Sequence, residues 1–389
     1  MGAHCIIPPS FAYRWVNCAL SVQMGIYFPN YDDESESSAE GTAAHELAAI
    51  MVQAITRANL GTPTVEQTVG KPAANGVIFT EEMFEAAQLY AEDVAEVMRS
   101  SGVFSAPALR VEQKLHIKRV HETQFGTPDC SLFYLSGRTL YLWDFKFGYR
   151  IVEAFENWQL MNYVAGLLDV YSDGRHGLID DSIRVVMRVV QPRAYHRDGP
   201  VREWSCKASE LRGYINDLST AADRALGPNP QAKAGTHCQH CPGRHACDTL
   251  KRSAYAAMDY VGASTPELMT AEACGVELRT LQRMKKIIES RTKGVEAHVE
   301  ALLKRGDNVP FYALEMGKGR ETWAKPLTEV FMLGDLLGKE LRKPVAITPK
   351  QARDLGIDDA VIKAYSQIPE TGIKLVPYNG NKAKQVFSK

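Results

Sequence analysis

The stretch that decides the reading is GTPDCSLFYLSGRTLYLWDFKFG, residues 126 to 148. Two apolar runs, 130 to 135 and 140 to 147, flank Ser136-Gly137-Arg138-Thr139, and a four-residue connection containing Gly predicts a β-hairpin. Strand periodicity of two puts Asp144 and Lys146 on one face and Trp143, Phe145 and Phe147 on the other. A carboxylate and an ammonium thus project together from a strand with an aromatic reverse side. Asp129, at the start of the preceding strand, can converge on them. Two carboxylates held together repel unless a cation intervenes, and hard oxygen ligands at an open site suit Mg²⁺ or Mn²⁺. Taken alone, Asp-x-Lys is most often an exposed pair on a solvated strand. Its company changes the weighing.

Upstream, residues 41 to 54 (GTAAHELAAIMVQA) are rich in helix formers and predict a short helix carrying His45. Thr80 before Glu81 and Glu82 reads as an N-cap, followed by Met83, Ala87, Tyr90, Val94 and Val97 at helical spacing. Leu109, Val111, Leu115 and Ile117 alternate with Glu112, Lys114, His116 and Lys118, which predicts one half-buried strand over 109 to 118. Downstream, helices are expected over 154 to 170 and 211 to 226 and a β-branched strand over 183 to 190. Gln159 and Tyr163, four apart, share a helical face on which an amide and a phenol can contact phosphates or stack on a base. An ordinary half-buried helix face is the plainer account of that pair.

Four short motifs therefore follow in order: Gly41-x-x-x-His45, Gly126-x-x-Asp129, Asp144-x-Lys146 and Gln159-x-x-x-Tyr163. This series resembles the RecB-type branch of the PD-(D/E)xK nucleases over roughly residues 10 to 250. The resemblance implies an α/β fold with a restriction-endonuclease-like core, a mixed β-sheet flanked by helices, acting as a metal-dependent DNA nuclease, with an exonuclease the family-level expectation. It implies His45, Asp129 and Asp144 as ligands of Mg²⁺ or Mn²⁺, the backbone carbonyl of Phe145 completing the protein shell, and Lys146 acting on the attacking water. Glu112 matches a less regular acidic position, for a second metal or a supporting contact. Gln159 and Tyr163 would meet DNA.

Three of the eight cysteines fall within ten residues, as Cys238-x-x-Cys241-Pro242-x-x-x-x-Cys247. Three thiolates need a fourth ligand to close a tetrahedral site, and Cys18 is the best upstream candidate, with Cys5 a substitute. The layout resembles the iron-sulfur subset of the same nucleases, which implies a 4Fe-4S cluster on Cys18, Cys238, Cys241 and Cys247. Zinc on the three clustered cysteines with His237, His240 or His245 is the other occupant such ligands accept. Cys130, Cys206 and Cys274 show no ligand spacing.

The 389 residues, 45% hydrophobic and 23% charged with a net charge of -1, exclude disordered, collagen-like and disulfide-dense classes and make any nucleic-acid contact a local matter. No apolar run of 18 residues occurs and no signal-peptide pattern opens the chain, so the expected location is cytoplasmic, without a membrane partner. Ile6 where a myristoylation motif needs Ser or Thr discards that modification. A domain boundary is expected near 255, separating a nuclease domain (1–255) from a mainly helical C-terminal extension (256–389). The extension carries a strand pair around 309 to 323, a helix opening at Thr348-Pro349, and basic residues from Arg283 to Lys293 that suit either a solvated helix face or a phosphate backbone. The arrangement, including GRETW at 319 to 323, resembles a group of phage and prophage proteins, which would place a recombination or replication protein among its partners. The rival from another class is a non-catalytic DNA-binding or scaffold module that keeps the fold with a structural zinc site. A carboxylate pair facing a lysine argues against it, since a retired site has no chemical need of them.

Overall fold

The computed structural model describes residues 5–28, 36–56, 61–102, 109–171, 182–256 and 270–314. The chain divides into two units, Met1–Leu314 and Glu315–Lys389. The second lies outside the described residues, and with it the helix expected at Thr348-Pro349 and most of the strand pair expected over 309 to 323. Residues 309 to 314 carry no strand.

Two short helices, α1 (Ala12–Asn17) and α2 (Ser21–Tyr27), open the described chain, followed by α3 (Glu36–Thr56), α4 (Val65–Thr68) and α5 (Glu81–Ser101). Thr80 caps α5 by accepting the Met83 N–H, and Gly102 ends it in the left-handed region at φ 66°. Helix α3 is longer than its Ala-rich centre suggested. It lies on α5 through Ala43, Ala44, Leu47, Ala48 and Met51, side chains small enough for close approach.

Strands β1 (Leu109–Val111), β2 (Leu115–His116), β3 (Phe125–Gly126), β4 (Cys130–Tyr134) and β5 (Thr139–Phe145) follow, then α6 (Trp158–Tyr171), β6 (Arg184–Val190), β7 (Val201–Lys207) and α7 (Arg212–Leu226). The sheet order is β1-β4-β5-β6-β7, with β5 and β6 parallel and the other pairs antiparallel. A parallel pair needs a crossover, and α6 supplies it. The fold is thus α/β, a mixed five-stranded sheet between helices. Leu140, Leu142, Val185, Met187 and Val189 pack toward α1, α6 and α7, while Trp143, Phe145 and Val190 pack toward α3 and α5.

The single strand expected over 109 to 118 is two. Val111 pairs with Cys130, the first residue of β4, and Glu112 then leaves the ladder at φ 48° with its N–H donated to the Asp129 carbonyl. Leu115 and His116 pair instead with β3. The side-chain alternation runs through the break and hides it. Strand β7 escaped the sequence reading because VREWSCK buries an arginine, Arg202, where an apolar residue would mark the inner face.

Helices α8 (Asp248–Ala256) and α9 (Ala271–Lys304) complete the first unit. This first unit extends to Leu314, and within it Ile287 of α9 joins Cys238, Leu250 and Ala254 in one apolar cluster. Gly294 lets α9 approach closely, since a Cβ there would lie 2.4 Å from Arg244 Cγ. No helix of the described residues is long and apolar enough to cross a membrane.

Candidate metal centre and cysteine pocket

The four motifs meet at the edge where β4 begins and β5 ends. Asp144 is the penultimate residue of β5 and is 2% exposed. Its Oδ1 accepts from Lys146 Nζ and from Gln159 Nε2, each at 2.9 Å. Its Oδ2 also lies 2.9 Å from Lys146 Nζ, yet it is buried and makes no hydrogen bond of good geometry. Asp129 Oδ2 accepts the Phe145 N–H at 2.6 Å, and its Oδ1 lies 3.5 Å from His45 Nδ1. His45 reaches this edge from α3 with its ring against Phe145, 5.3 Å between centroids. His45, Glu112 and Asp129 each offer a ligand atom, all within 4.8 Å of one another.

The electrostatics are those of crowded acids. Burial, opposed by Lys146, pushes Asp144 above the usual carboxylate range. Burial works the same way on Asp129, but the charge and hydrogen bond of His45 outweigh it and hold Asp129 below that range. Burial and the negative charge of Asp129 raise Glu112 to about 7, although solvent reaches its side chain. Burial disfavours the charged forms of His45 and Lys146, yet Asp129 raises the first and Asp144 the second. A mixed imidazole and carboxylate donor set, acids that resist ionising together, and a buried carboxylate oxygen without a hydrogen bond all fit a divalent cation.

Gln159 and Tyr163 do share a helical face, but it turns inward. Gln159 holds Asp144. Tyr163 is 6% exposed, and its hydroxyl donates to the Thr127 carbonyl at 3.1 Å. Gly126 of the G-x-x-D turn is required by this packing, because a Cβ there would lie 2.8 Å from Tyr163 Cε1 and from Pro9 Cγ. Both residues thus brace the acidic residues, Tyr163 from a buried position and Gln159 from a half-buried one.

Cys18, Cys238, Cys241 and Cys247, 229 positions apart at the extremes, line one cavity. Two anchors bring the chain ends together: Arg14 donates to the His240 carbonyl at 3.0 Å and the Leu20 N–H to the Gln231 carbonyl at 3.2 Å. Gly243 packs on α2 so closely that a Cβ would lie 2.4 Å from Met24 Sδ. Backbone N–H groups point at the sulfurs, from Lys233 to Cys18, Gly235 to Cys238 and Leu250 to Cys247, each at 3.4 Å, and Gly243 serves Cys241. Burial pushes the Cys238 thiol up to about 12 and raises that of Cys241, and a bound cation would favour their thiolates.

A zinc ion with sulfur at about 2.3 Å draws its ligands to within about 4 Å of one another. Among the described residues, the ligand atoms that converge within 4.8 Å belong to the His45, Glu112 and Asp129 group, not to three of these cysteines. Of the histidines that zinc could use, His237 Nε2 donates to the Lys233 carbonyl, His240 Nε2 lies 3.0 Å from Arg150 Nη1, and His245 stacks on His298. Four cysteine sulfurs are ligands that zinc and an iron-sulfur cluster both accept. Cys5 lies apart, its sulfur accepting the Phe125 N–H.

Gln191 was not singled out in the sequence. It is 1% exposed and ties the loop after Lys146, donating to the carbonyls of Gly148 and Arg150 and accepting the Val152 N–H. A polar residue directly after the β-branched run 183 to 190 was the available signal. Over residues 4–336 the chain matches a family described as protein of unknown function (DUF2800), and it belongs to that family.

Proposed function

We propose that the protein is a metal-dependent DNA nuclease of the PD-(D/E)xK kind, hydrolysing phosphodiester bonds in phage-type DNA recombination, repair or processing, and carrying a structural 4Fe-4S cluster. The observation that supports this most is the meeting of His45, Asp129, Asp144 and Lys146, from separate parts of the chain, at the edge where β4 begins and β5 ends. His45, Asp129 and Asp144 would hold Mg²⁺ or Mn²⁺, with the carbonyl of Phe145, and Glu112 would add a further carboxylate. A bound divalent ion supplies charge against the phosphate in the transition state and acidifies a water. Lys146, fixed by Asp144, presents its ammonium to that water and to the phosphate oxygens. Gln159 holds Asp144 in its rotamer, and Tyr163 fixes the turn that delivers Asp129.

The cysteine pocket supports a second part of the reading. It joins the helices before the core to the segment after it, so a cluster there would close a loop around the whole sheet, as a brace for the fold before anything else. The deciding experiment is cleavage of single- and double-stranded DNA, with free and blocked ends, in Mg²⁺ and in Mn²⁺. Metal-dependent cleavage lost on Asp144→Ala is the expected result, and cleavage by Asp144→Ala at the wild-type rate removes the site.

A further inference from the structure

The loop that leaves the catalytic strand is held unusually well for an exposed connection. Buried Gln191 makes hydrogen bonds to three successive alternate residues of it, Gly148, Arg150 and Val152, and its own amide oxygen is fixed by Arg202 Nη2 at 2.5 Å. On this braced loop sits Tyr149, 68% exposed. The guanidinium of Arg193 lies 4.5 Å from the Tyr149 ring centroid and 4.3 Å from that of Phe147. Arg193 is in turn held by Glu40 of α3 and Glu82 of α5, at 2.8 and 3.0 Å. Those two carboxylates occupy its charge, so its part is to fix the ring. The ring is thus immobilised from one side and open to solvent on the rest of its surface.

An exposed aromatic ring loses little entropy on stacking when its backbone and one face are already fixed. Position supplies the second argument. Tyr149 lies three positions after Lys146, so their Cα atoms are at most about 11 Å apart. That is about three steps of a stacked strand at roughly 3.4 Å per nucleotide. Exposed Arg150, beside Tyr149, offers positive charge to the backbone of such a strand, with one Nη 3.0 Å from His240 Nε2.

We propose that Tyr149 is a stacking platform on which a base of an unpaired DNA strand rests as that strand leads into the His45–Asp129–Asp144 centre, an inference that rests on the nuclease reading for its direction toward that centre. A base inside a duplex has both faces covered by its stacked neighbours, so the platform favours single strands and frayed ends.

Binding of the full chain to a fluorescein-labelled oligodeoxythymidylate, to a blunt duplex of equal length and to the oligouridylate counterpart is measured by anisotropy without divalent metal. Tyr149→Ala is expected to weaken single-strand DNA binding about 5- to 100-fold, Tyr149→Trp to restore it, and duplex binding to change far less. Unchanged single-strand affinity in Tyr149→Ala overturns the proposal, as does an equal loss for the duplex. Tighter binding of the RNA strand overturns the DNA assignment. Because no cleavage is needed, a wild-type chain with the expected binding pattern but no nuclease activity keeps the platform and removes the nuclease. Cleavage with unaltered binding in Tyr149→Ala does the reverse.

Discussion

Asp129 faces Asp144 across the sheet, one register step beyond the Cys130–Trp143 pair, and Asp129 Oδ2 accepts the N–H of Phe145, the residue after Asp144. The two carboxylates are therefore positioned by backbone pairing, and their neighbours drive their acidities apart, Asp129 down beside His45 and Asp144 up through burial.

Asp144→Ala is expected to lower metal-dependent cleavage at least about 100-fold, since it removes charge stabilisation at the reacting phosphate. Lys146→Ala should lower kcat more than it raises KM. Because an imidazole is part of the donor set, activity in Mn²⁺ should equal or exceed that in Mg²⁺. Steady-state kinetics in both metals checks all three, and His45→Ala that keeps the wild-type metal preference removes His45 from the ligand set.

Glu112, raised to about 7, holds a proton in the folded, metal-free protein that the unfolded chain releases near the ordinary glutamate range. The folded state therefore binds more protons across that window, and its stability falls as pH rises from about 4.5 to about 7. Metal competes with the same proton, so Mn²⁺ affinity should climb over this range. Thermal melts of metal-free protein from pH 4.5 to 7.5, with Glu112→Gln flattening the slope, measure the first effect, and calorimetric titration measures the second.

Tyr163→Phe should cost about 0.5–1.5 kcal/mol of stability through the lost bond to Thr127, with DNA affinity unchanged. Gly126→Ala should cost about 1–3 kcal/mol, because Pro9 and the Tyr163 ring must both give way. Denaturant unfolding with a parallel binding assay tests the pair. A large loss of DNA affinity in Tyr163→Phe would return that residue to the DNA surface.

Protein purified without oxygen should be brown, with about four irons and four sulfides per chain. Cys18→Ser should lower iron content and soluble yield together, whereas Cys5→Ser and Cys274→Ser should leave both near wild type. Colourless protein with one zinc per chain selects the zinc site instead.

How much of this was legible varied by element. The hairpin, the capped helix α5 and the strand 183 to 190 follow from local rules, a Gly-containing turn, a Thr cap with acidic first turn and a β-branched run, and each of those acts within a few residues. Periodicity along one strand likewise put Asp144 and Lys146 on a common face, while His45 and its place beside Asp129 came from the resemblance of the motif series. Tertiary contacts decided the rest. The break at Glu112 depends on where β4 begins, eighteen residues later. The inward turn of Gln159 and Tyr163 depends on which face α6 lays on the sheet, and the gathering of Cys18 with Cys247 on anchors such as Arg14 to His240. Periodicity specifies a face but not its neighbour. The neighbour is chosen by burial and hydrogen bonding between segments distant in the chain, a pairing that no local run of residues encodes.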